Sequence, residues 1–298
     1  MACSLAGAAW PFGEKERRDA SPVLRVVHFT DAHLKAEGDV PQRFARCLDK
    51  IRTVEKPDVV FQGGDIIWDG TVTDQAGALA QYELADRLIR RHLGMPVTHC
   101  VGNHDVWGWK RNDLDKIGAD PLFGKGMWLK WTGYASPYFS FDCANWHFIV
   151  LDSIQSSPTP CGYVAHLDDA QWRWLQQDLA GTPPLTPVCI VSHAPFLHAG
   201  VQFLDPQHHR SAWSISGSLL HLDARPFKDL LARHANVRLC LSGHIHMFSR
   251  IHYNGAAHIG NGAVSGAWWR GDMQETRPGY GVVDLYADGR VRSRFETY

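Results

Sequence analysis

The stretch that decides the fold is GGDIIWDG, from Gly63 to Gly70. It follows DVVFQ at residues 58–62, a short apolar run that predicts a buried strand. The two glycines and Asp65 therefore stand at the carboxyl end of a core strand. A carboxylate in such a place is costly unless a positive charge meets it. We therefore expect Asp65 to face a cation.

Alternating strands and helices surround this stretch. The apolar run from Leu24 to Thr30 predicts a strand, and apolar residues from Phe44 to Val54 then recur at helical spacing. A second helical pattern runs from Leu79 to Leu93, and a third strand is predicted from Val97 to Val101. Consecutive β-α-β units imply parallel strands with the helices packed outside the sheet.

The second half of the chain adds more strands and helices. Asp168 or Asp169 is the expected cap of a helix that carries Trp172, Leu175 and Leu179. The remaining predicted elements are two strands joined at Asp142 to Asn145, a strand at 188–191, a helix at 227–234, a strand at 237–241 and a hairpin at YADGR, residues 286–290. We expect an α/β fold, in which two packed mixed β-sheets are flanked by helices, as a single domain spanning residues 23–298.

Composition excludes several classes of protein. The chain has 298 residues, 20% of them charged, and its formal net charge is -1, which describes an ordinary globular protein. This balance provides no strong field to gather a nucleic-acid polymer or an anionic membrane. No apolar run approaches the roughly 18 residues of a membrane span.

The cysteines and the N-terminus bear on the compartment. None of the seven cysteines forms a C-x-x-C pair, and Cys47, Cys100, Cys189 and Cys240 lie in apolar segments. This pattern predicts buried free thiols rather than a disulfide framework. Residues 1–22 are interpreted as a tail or as a processing remnant. As the chain stands it would be cytoplasmic, and if residues 1–9 are a trimmed export signal it would be periplasmic or otherwise exported.

Polar side chains follow five of the predicted strands at the point where each strand ends. In α/β sheets this carboxyl end is where ligands bind. A single such residue is usually structural, but five coinciding endings indicate a site. The residues concerned are Asp31 and His33, Asp65, Asn103 with His104 and Asp105, His193, and His244 with His246.

The chemistry of this set indicates a metal site. Carboxylate, amide and imidazole groups without thiolates suit manganese, iron, zinc or cobalt. There are more donors than one ion normally takes. Two ions roughly 3.5–4 Å apart can share a carboxylate and clamp both the attacking and the leaving oxygen of a phosphoryl displacement. We therefore expect Asp65 to meet two ions at once, with Gly63 and Gly64 allowing the backbone to approach.

The ordered motifs resemble those of the calcineurin-like metallophosphoesterase family, from about residue 24 to 250. They are D-x-H at residues 31–33, G-D-x-x-x-x-G at 64–70, G-N-H-D at 102–105, the histidine of SHAP at 193 and G-H-x-H at 243–246. The resemblance implies an αββα sandwich with a dinuclear metal centre. The identity of the two divalent or trivalent ions, whether manganese, iron or zinc, stays open.

The resemblance also implies a role for each residue. One metal would be held by Asp31, His33, Asp65 and His246, and the other by Asp65, Asn103, His193 and His244. His104 would contact the phosphate and help the leaving group depart. Asp105 would orient its neighbours.

The D-x-H start and the G-N-H-D motif look closest to bacterial cyclic-nucleotide phosphodiesterases. We therefore expect in-line attack by a metal-bridging hydroxide on a cyclic nucleotide or a small organic diester. A phosphomonoesterase on a sugar or lipid phosphate, and a non-catalytic interaction module on the same fold, remain alternatives. The stretch GGDIIWDG lacks the tyrosine ligand that a purple acid phosphatase would have there.

Aromatic residues near the motifs bear on the substrate. Trp107, Trp269 and Arg270 are candidates for an aromatic and cationic wall that binds the substrate, although packing in the core and at the rim is the more usual role of such tryptophans. The expected partner is thus a small-molecule phosphoester and not a nucleic-acid polymer. The sequence leaves the oligomeric state open.

Overall fold

A computed structural model describes residues 21–158, 161–204, 207–209 and 212–298. The interpretation of residues 1–22 as a tail or processing remnant falls almost wholly on residues 1–20, which lie outside the described residues. In the described part of the chain, no helix is both long and apolar enough to cross a membrane.

Helices and strands alternate through the first third of the chain and again through its second half. The described α-helices are α1 Val40–Lys50, α2 Gln75–Leu88, α3 Leu114–Ile117, α4 Gly126–Thr132, α5 Asp169–Gly181 and α6 Ala224–Leu231. Two π-helical segments, Ile51–Glu55 and Ile89–Leu93, follow α1 and α2, and a 3₁₀ helix spans Ala199–Phe203. The described strands are β1 Leu24–Phe29, β2 Val59–Gln62, β3 Thr98–His99, β4 Phe139–Cys143, β5 Trp146–Leu151, β6 Ile154–Ser156, β7 Tyr163–Ala165, β8 Val188–Ser192, β9 Gln207–His209, β10 Ala212–Ser214, β11 Val237–Ser242, β12 Ser249–Tyr253, β13 Ala256–Gly260, β14 Gly279–Leu285 and β15 Val291–Thr297.

Two mixed sheets form the body of the molecule. The first has the order β15-β14-β1-β2-β3, in which β1, β2 and β3 are parallel and β14 joins β1 antiparallel. The second has the order β12-β13-β11-β8-β5-β4, with a parallel centre formed by β5, β8, β11 and β13. The predicted hairpin at YADGR joins β14 to β15.

Successive side chains of each strand point to opposite faces of its sheet, and this produces the layers of the fold. Val26 of β1 faces the second sheet and packs in one cluster with Phe148 of β5, whereas Val27 packs against α1 and α2. Ile149, the next residue of β5, faces α5 and α6. The two sheets therefore pack face to face with helices outside both, and the predicted αββα fold class is confirmed.

Helix α1 shows where the sequence pattern failed. Val54 continues its predicted apolar stripe, yet it is 61% exposed. The helix passes into a π-helical turn at Ile51–Glu55, and the wider turn rotates the following residues. Glu55 is buried in place of Val54, and its carboxylate accepts a hydrogen bond from the Tyr280 hydroxyl and pairs with Arg294.

Two more differences concern lengths and omissions. The third strand, predicted from Val97 to Val101, is only Thr98–His99 as a paired strand, although the Cys100 amide still donates to the Gln62 carbonyl at 2.8 Å. Helices α3 and α4 were not predicted, because neither is long enough to show a clear helical period. Among the described cysteines the four predicted buried thiols are buried and free.

Candidate metal centre

Loops at the carboxyl ends of five strands bring the candidate residues together. The loops after β1 and β2 run side by side, because the Asp31 amide donates to the Gly64 carbonyl and the His33 amide donates to the Asp65 carbonyl, both at 3.0 Å. The loops after β8 and β11 approach them from the second sheet, where the Gly243 amide donates to the His193 carbonyl. The site thus lies across the ends of both sheets.

The backbone of this site is strained. Five of the candidate residues adopt the left-handed region, which is uncommon outside glycine and costs on the order of 1 kcal/mol or more for each residue. Such strain persists where the surrounding structure holds it, and it concentrates at functional sites. The residues and their φ angles are Asp31 (54°), His33 (42°), Asp65 (54°), His244 (70°) and His246 (62°).

Two glycines make the close approach of the loops possible. A Cβ atom on Gly64 would lie 2.3 Å from Nδ1 of His193, and one on Gly102 would lie 2.2 Å from Oδ1 of Asp65. Neither neighbour can move without leaving the site. Gly64 also has a φ of 99°, which side chains rarely adopt.

Asp31, His33 and His246 form the first group of donor atoms. The Nε2 atoms of His33 and His246 are 3.0 Å apart, and Oδ1 of Asp31 lies 3.3 Å from Nε2 of His246. The other Asp31 oxygen accepts hydrogen bonds from the Thr30 hydroxyl and the His244 amide. Oδ1 is buried and has no hydrogen-bond partner among the described residues, so it remains free to bind a cation.

Asp65, Asn103, His193 and His244 form the second group. Nε2 of His193 lies 3.3 Å from Oδ2 of Asp65, 3.1 Å from Oδ1 of Asn103 and 3.2 Å from Nδ1 of His244. The donor atoms of all four residues therefore converge within one small volume.

Asp65 joins the two groups. Its Oδ2 atom lies 3.7 Å from Nε2 of His33 in the first group and 3.3 Å from Nε2 of His193 in the second. Its Oδ1 atom accepts a hydrogen bond of 2.7 Å from the His104 amide, which fixes the carboxylate in place. One oxygen atom consequently faces both sets of histidines.

The opposite ring nitrogens of three histidines contact backbone carbonyls. Nδ1 of His193 lies 2.8 Å from the Gly63 carbonyl, Nε2 of His244 lies 2.8 Å from the Ser218 carbonyl, and Nδ1 of His246 lies 2.6 Å from the Gly266 carbonyl. A carbonyl can only accept, so each of these nitrogens must donate its hydrogen. The lone pair of a neutral ring is then left on the nitrogen that faces the cluster, as in metal-binding histidines.

Electrostatics favour ionised carboxylates here. Burial alone would raise the pKa of Asp65, but His193 and His104 outweigh it and hold that pKa well below its usual range. In the same way burial lowers the pKa of His193, but the charges of Asp65 and Asp31 outweigh it and raise the pKa to about 10. Buried negative charge is therefore present at neutral pH, and a cation would stabilise it.

His104 and Asp105 lie at the edge of the cluster. The His104 ring is 4.8 Å from that of His33 between centroids, and its Nδ1 lies 3.8 Å from Oδ2 of Asp69. Asp105 is fully buried and accepts hydrogen bonds from the amides of Asp65, Ile66 and Gly102. Burial and the charge of Asp65 raise the pKa of Asp105 to about 7. Asp105 thus ties the loops after β2 and β3 together.

The structure corrects the predicted aromatic wall. Trp107 is 2% exposed within the core under α2, and its indole donates to the Thr73 carbonyl, so it has no surface to offer a substrate. Trp269 is also buried, and its indole donates to the His33 carbonyl at 3.0 Å. Arg270 is exposed, and among the described residues no hydrogen bond or ion pair joins its side chain to the cluster.

Two other tryptophans lie where the wall was expected. The Trp268 ring lies 3.8 Å from the His33 ring, and the Trp68 ring lies 5.3 Å from that of Trp268. Trp268 directly precedes the candidate Trp269 and Trp68 lies within GGDIIWDG, but the sequence could not tell which of two adjacent tryptophans faces the site. The difference depends on a left-handed backbone at both positions.

Comparison with known proteins identifies the family. The calcineurin-like phosphoesterase family matches residues 24–248, so the chain belongs to it. As a member of this family the chain is a metal-dependent phosphoester hydrolase, in agreement with the sequence-based prediction. Residues able to hold a metal ion fall into three groups in the described part of the chain, namely Asp31 with His33 and His246, His33 with Asp65 and His104, and Asp65 with His193 and His244.

Two relatives align over nearly the whole chain. A 3',5'-cyclic-nucleotide phosphodiesterase of Nostoc sp. is 27% identical over 286 residues, which cover 92% of each protein. The 3',5'-cyclic adenosine monophosphate phosphodiesterase CpdA of Escherichia coli K12 is 24% identical over 280 residues, 90% of this chain and 87% of the relative.

Solved structures share the fold at low sequence identity. A dimetal phosphatase from Danio rerio superposes with a TM-score of 0.64 at 16% identity and covers 92% of this chain and 96% of its own. GAP50 of Plasmodium, the anchor in the inner membrane complex, superposes with a TM-score of 0.55 at 16% identity, over 91% of this chain and 84% of its own. Proteins with this fold have different roles, so the activity of this chain has to be inferred from its site.

Proposed function

We propose that the protein is a dinuclear-metal phosphodiesterase that hydrolyses a cyclic nucleotide or a small organic diester. The observation that carries the proposal is the Asp65 oxygen, which faces the histidines of both donor groups. Asp31, His33 and His246 would hold one ion together with Asp65, and Asn103, His193 and His244 would hold the other.

Two observations support the fit of these residues to metal ions. Oδ1 of Asp31 is buried and has no partner among the described residues. Nε2 of His33 faces Nε2 of His246 at 3.0 Å, and a carbonyl occupies the other nitrogen of His246. A neutral His246 ring therefore turns the lone pair of its Nε2 towards the cluster, where it can bind a cation. The donors are imidazole and oxygen, which suits manganese, iron or zinc.

The roles of the protein groups follow from their positions. When bound, two ions supply positive charge for the phosphoryl oxygens and a nucleophile from water at neutral pH. His104 is part-exposed beside the cluster and would donate a proton to the leaving oxygen. Asp69 would orient it, because its Oδ2 faces His104 while its Oδ1 is held by the amide and hydroxyl of Thr71.

The charges around the centre favour a diester over a monoester. Among the described residues, the ion-pair partners of Asp31 and Asp65 are all histidines. A dianionic monoester gains more from arginine or lysine than a monoanionic diester does, and no such side chain contacts the cluster in the described part of the chain. The two cyclic-nucleotide phosphodiesterases among the relatives also support the diester.

The test compares three substrates under one metal. The protein is stripped with a chelator and reconstituted with Mn²⁺, and kcat/KM is measured for bis-para-nitrophenyl phosphate, para-nitrophenyl phosphate and cyclic AMP. The diesters should be preferred. A ten-fold or greater preference for the monoester would overturn the diester proposal in favour of a phosphomonoesterase. Absence of turnover with two ions bound would favour a non-catalytic interaction module.

A further inference from the structure

Trp268 covers the candidate metal centre without belonging to it. Its ring centroid lies 3.8 Å from that of His33, 4.9 Å from that of His104 and 5.4 Å from that of His246. Part of the side chain remains exposed, whereas the adjacent Trp269 is buried. Trp268 is therefore an aromatic surface beside the group proposed to protonate the leaving oxygen.

The backbone that carries the Trp268 ring is strained. Trp268 and Trp269 have φ angles of 58° and 67°, which are outliers for bulky residues. Contacts of Trp269 hold the strain. Its amide donates to the Ser265 carbonyl at 2.7 Å, and its carbonyl accepts from Nη1 of Arg43 at 2.9 Å. The contacts of Trp269 thus fix the strained backbone, and this backbone places the Trp268 ring beside the site.

The indole of Trp68 lies next to that of Trp268 and nearly perpendicular to it. The Trp68 ring stands at 78° to the Trp268 ring, with 5.3 Å between centroids, and it is also part-exposed. Trp68 is fixed by its amide, which donates to the Leu34 carbonyl, and Nζ of Lys35 lies 4.0 Å from its ring centroid. The two rings therefore stand side by side near the centre, and the Lys35 ammonium lies over Trp68.

We propose that Trp268 is a specificity-determining residue, which stacks against a flat aromatic ring carried by the phosphoester, as a nucleobase would be. This inference rests on the proposed function, since it names the group that the same site selects. Stacking on an aromatic side chain is worth roughly ten-fold or more in affinity for one base and does not depend on which base it is. Substrates with a base should therefore be preferred without strong discrimination among bases.

The kinetic test uses two cyclic diesters that carry no aromatic leaving group. Cyclic AMP and ribose 3',5'-cyclic phosphate break the same phosphodiester bond and differ only in the base, and hydrolysis of both is followed by chromatography of the products. Trp268→Ala and Trp268→Leu should each lower the kcat/KM ratio of the two substrates by roughly ten-fold, mainly through KM for cyclic AMP. Trp268→Phe keeps a ring and should retain most of the ratio. The matched control is Trp174→Ala, because Trp174 lies on α5 against Tyr138.

A binding measurement separates this proposal from the proposed function. Calorimetry with Mn²⁺-loaded protein compares AMP with ribose phosphate, which lacks the base. A preference for AMP that Trp268→Leu removes supports the stacking role even if no diester is turned over. A ratio unchanged in Trp268→Leu, with metal content intact, would overturn it, and so would Trp268→Phe behaving like the leucine variant. Diester turnover with an unchanged ratio would leave the proposed function standing and this inference refuted.

Discussion

His104 lies outside both proposed donor sets, yet it lies between Asp69 and the first group of histidines. Because it is not needed to complete either set, His104→Ala should keep the metal content and lose on the order of 10²–10⁴ in kcat, the range of a positioned acid–base group. Steady-state kinetics with elemental analysis of the same samples would measure both quantities.

The leaving group provides the control for this role. A nitrophenolate leaving group has a low pKa and needs little protonation, so the loss in the His104→Ala variant should be smaller for nitrophenyl esters than for alkyl esters. Equal losses for both kinds of ester would argue for simple phosphate binding instead. Asp69→Asn should show a weaker form of the same pattern, since Asp69 would act only through His104.

The second prediction at the residue scale concerns Asp65. Asp65→Asn keeps the size of the side chain and an oxygen to accept from the His104 amide, but it removes the charge that both donor groups face. The variant should bind less than two Mn²⁺ ions per chain at a concentration that saturates the parent. Elemental analysis after gel filtration would measure this, with Asp49→Asn on the exposed face of α1 as the matched control. Two ions retained at parental affinity would refute the bridging role.

At the scale of elements, His147 joins β5 to its neighbours. Nδ1 lies 2.7 Å from Oδ1 of Asp142 on β4, and Nε2 lies 2.8 Å from Oδ2 of Asp178 on α5. A ring with a carboxylate at each nitrogen is stabilised as imidazolium. The hydrogen bond to Asp178, which outweighs the effect of burial, together with that to Asp142, raises the pKa of His147 above its ordinary value.

The sign of the pH dependence follows from this raised pKa. Below the unfolded pKa of about 6.5 the ring is charged in both states, and its stabilising contribution is fully present. As the pH rises through the folded pKa that contribution is lost. The difference in free energy of unfolding between the parent and His147→Gln should therefore be largest at acid pH and shrink towards alkaline pH, in urea titrations with chelator present. In an Asp178→Asn background the pH dependence should become much weaker, and a difference that grew with pH would contradict the interpretation.

The sequence predicted those elements whose period or caps were strong. The apolar run of β1 and the predicted cap at Asp168 or Asp169 required only local chemistry, and it is the Asp168 carboxylate that accepts from the Gln171 amide. The π-helical turn after α1 was missed, because one extra residue in a turn leaves no trace in composition. The helices α3 and α4 were missed because they are short.

In the candidate site, too, some features could be predicted from the sequence and others could not. The carboxyl ends of neighbouring parallel strands meet at one edge of a sheet, so Asp31 and Asp65, which follow β1 and β2, could be placed together from the sequence. The orientation of Trp268 against Trp269 could not be predicted, because it depends on two left-handed residues and on a contact with Arg43, which is distant in the chain. Trp107 was misplaced because proximity to a motif in sequence says nothing about which side of the loop faces the core.

For the whole molecule, the candidate centre is a junction between the two sheets. Asp31 and Asp65 follow β1 and β2 of the first sheet, whereas His193 and His246 follow β8 and β11 of the second. The sheets otherwise meet through the apolar layer between them, which includes Val26 and Phe148. Ions held by residues from both sheets would therefore bind the folded chain and not the unfolded one, and they would add to its stability by mass action.

Removal of the metal should consequently lower the melting temperature. A ligand at about 100 times its Kd adds roughly 2.7 kcal/mol, and for a chain of this size each kcal/mol corresponds to roughly 2 °C. Thermal unfolding in chelator should therefore begin roughly 5 °C or more below that in excess Mn²⁺, and Asp65→Asn should lose most of this increment while His104→Ala keeps it. Mg²⁺ at the same concentration is the control for ionic effects, since imidazole ligands disfavour it. Equal melting temperatures with and without Mn²⁺, at a concentration where elemental analysis shows two bound ions, would show that the centre does not join the sheets.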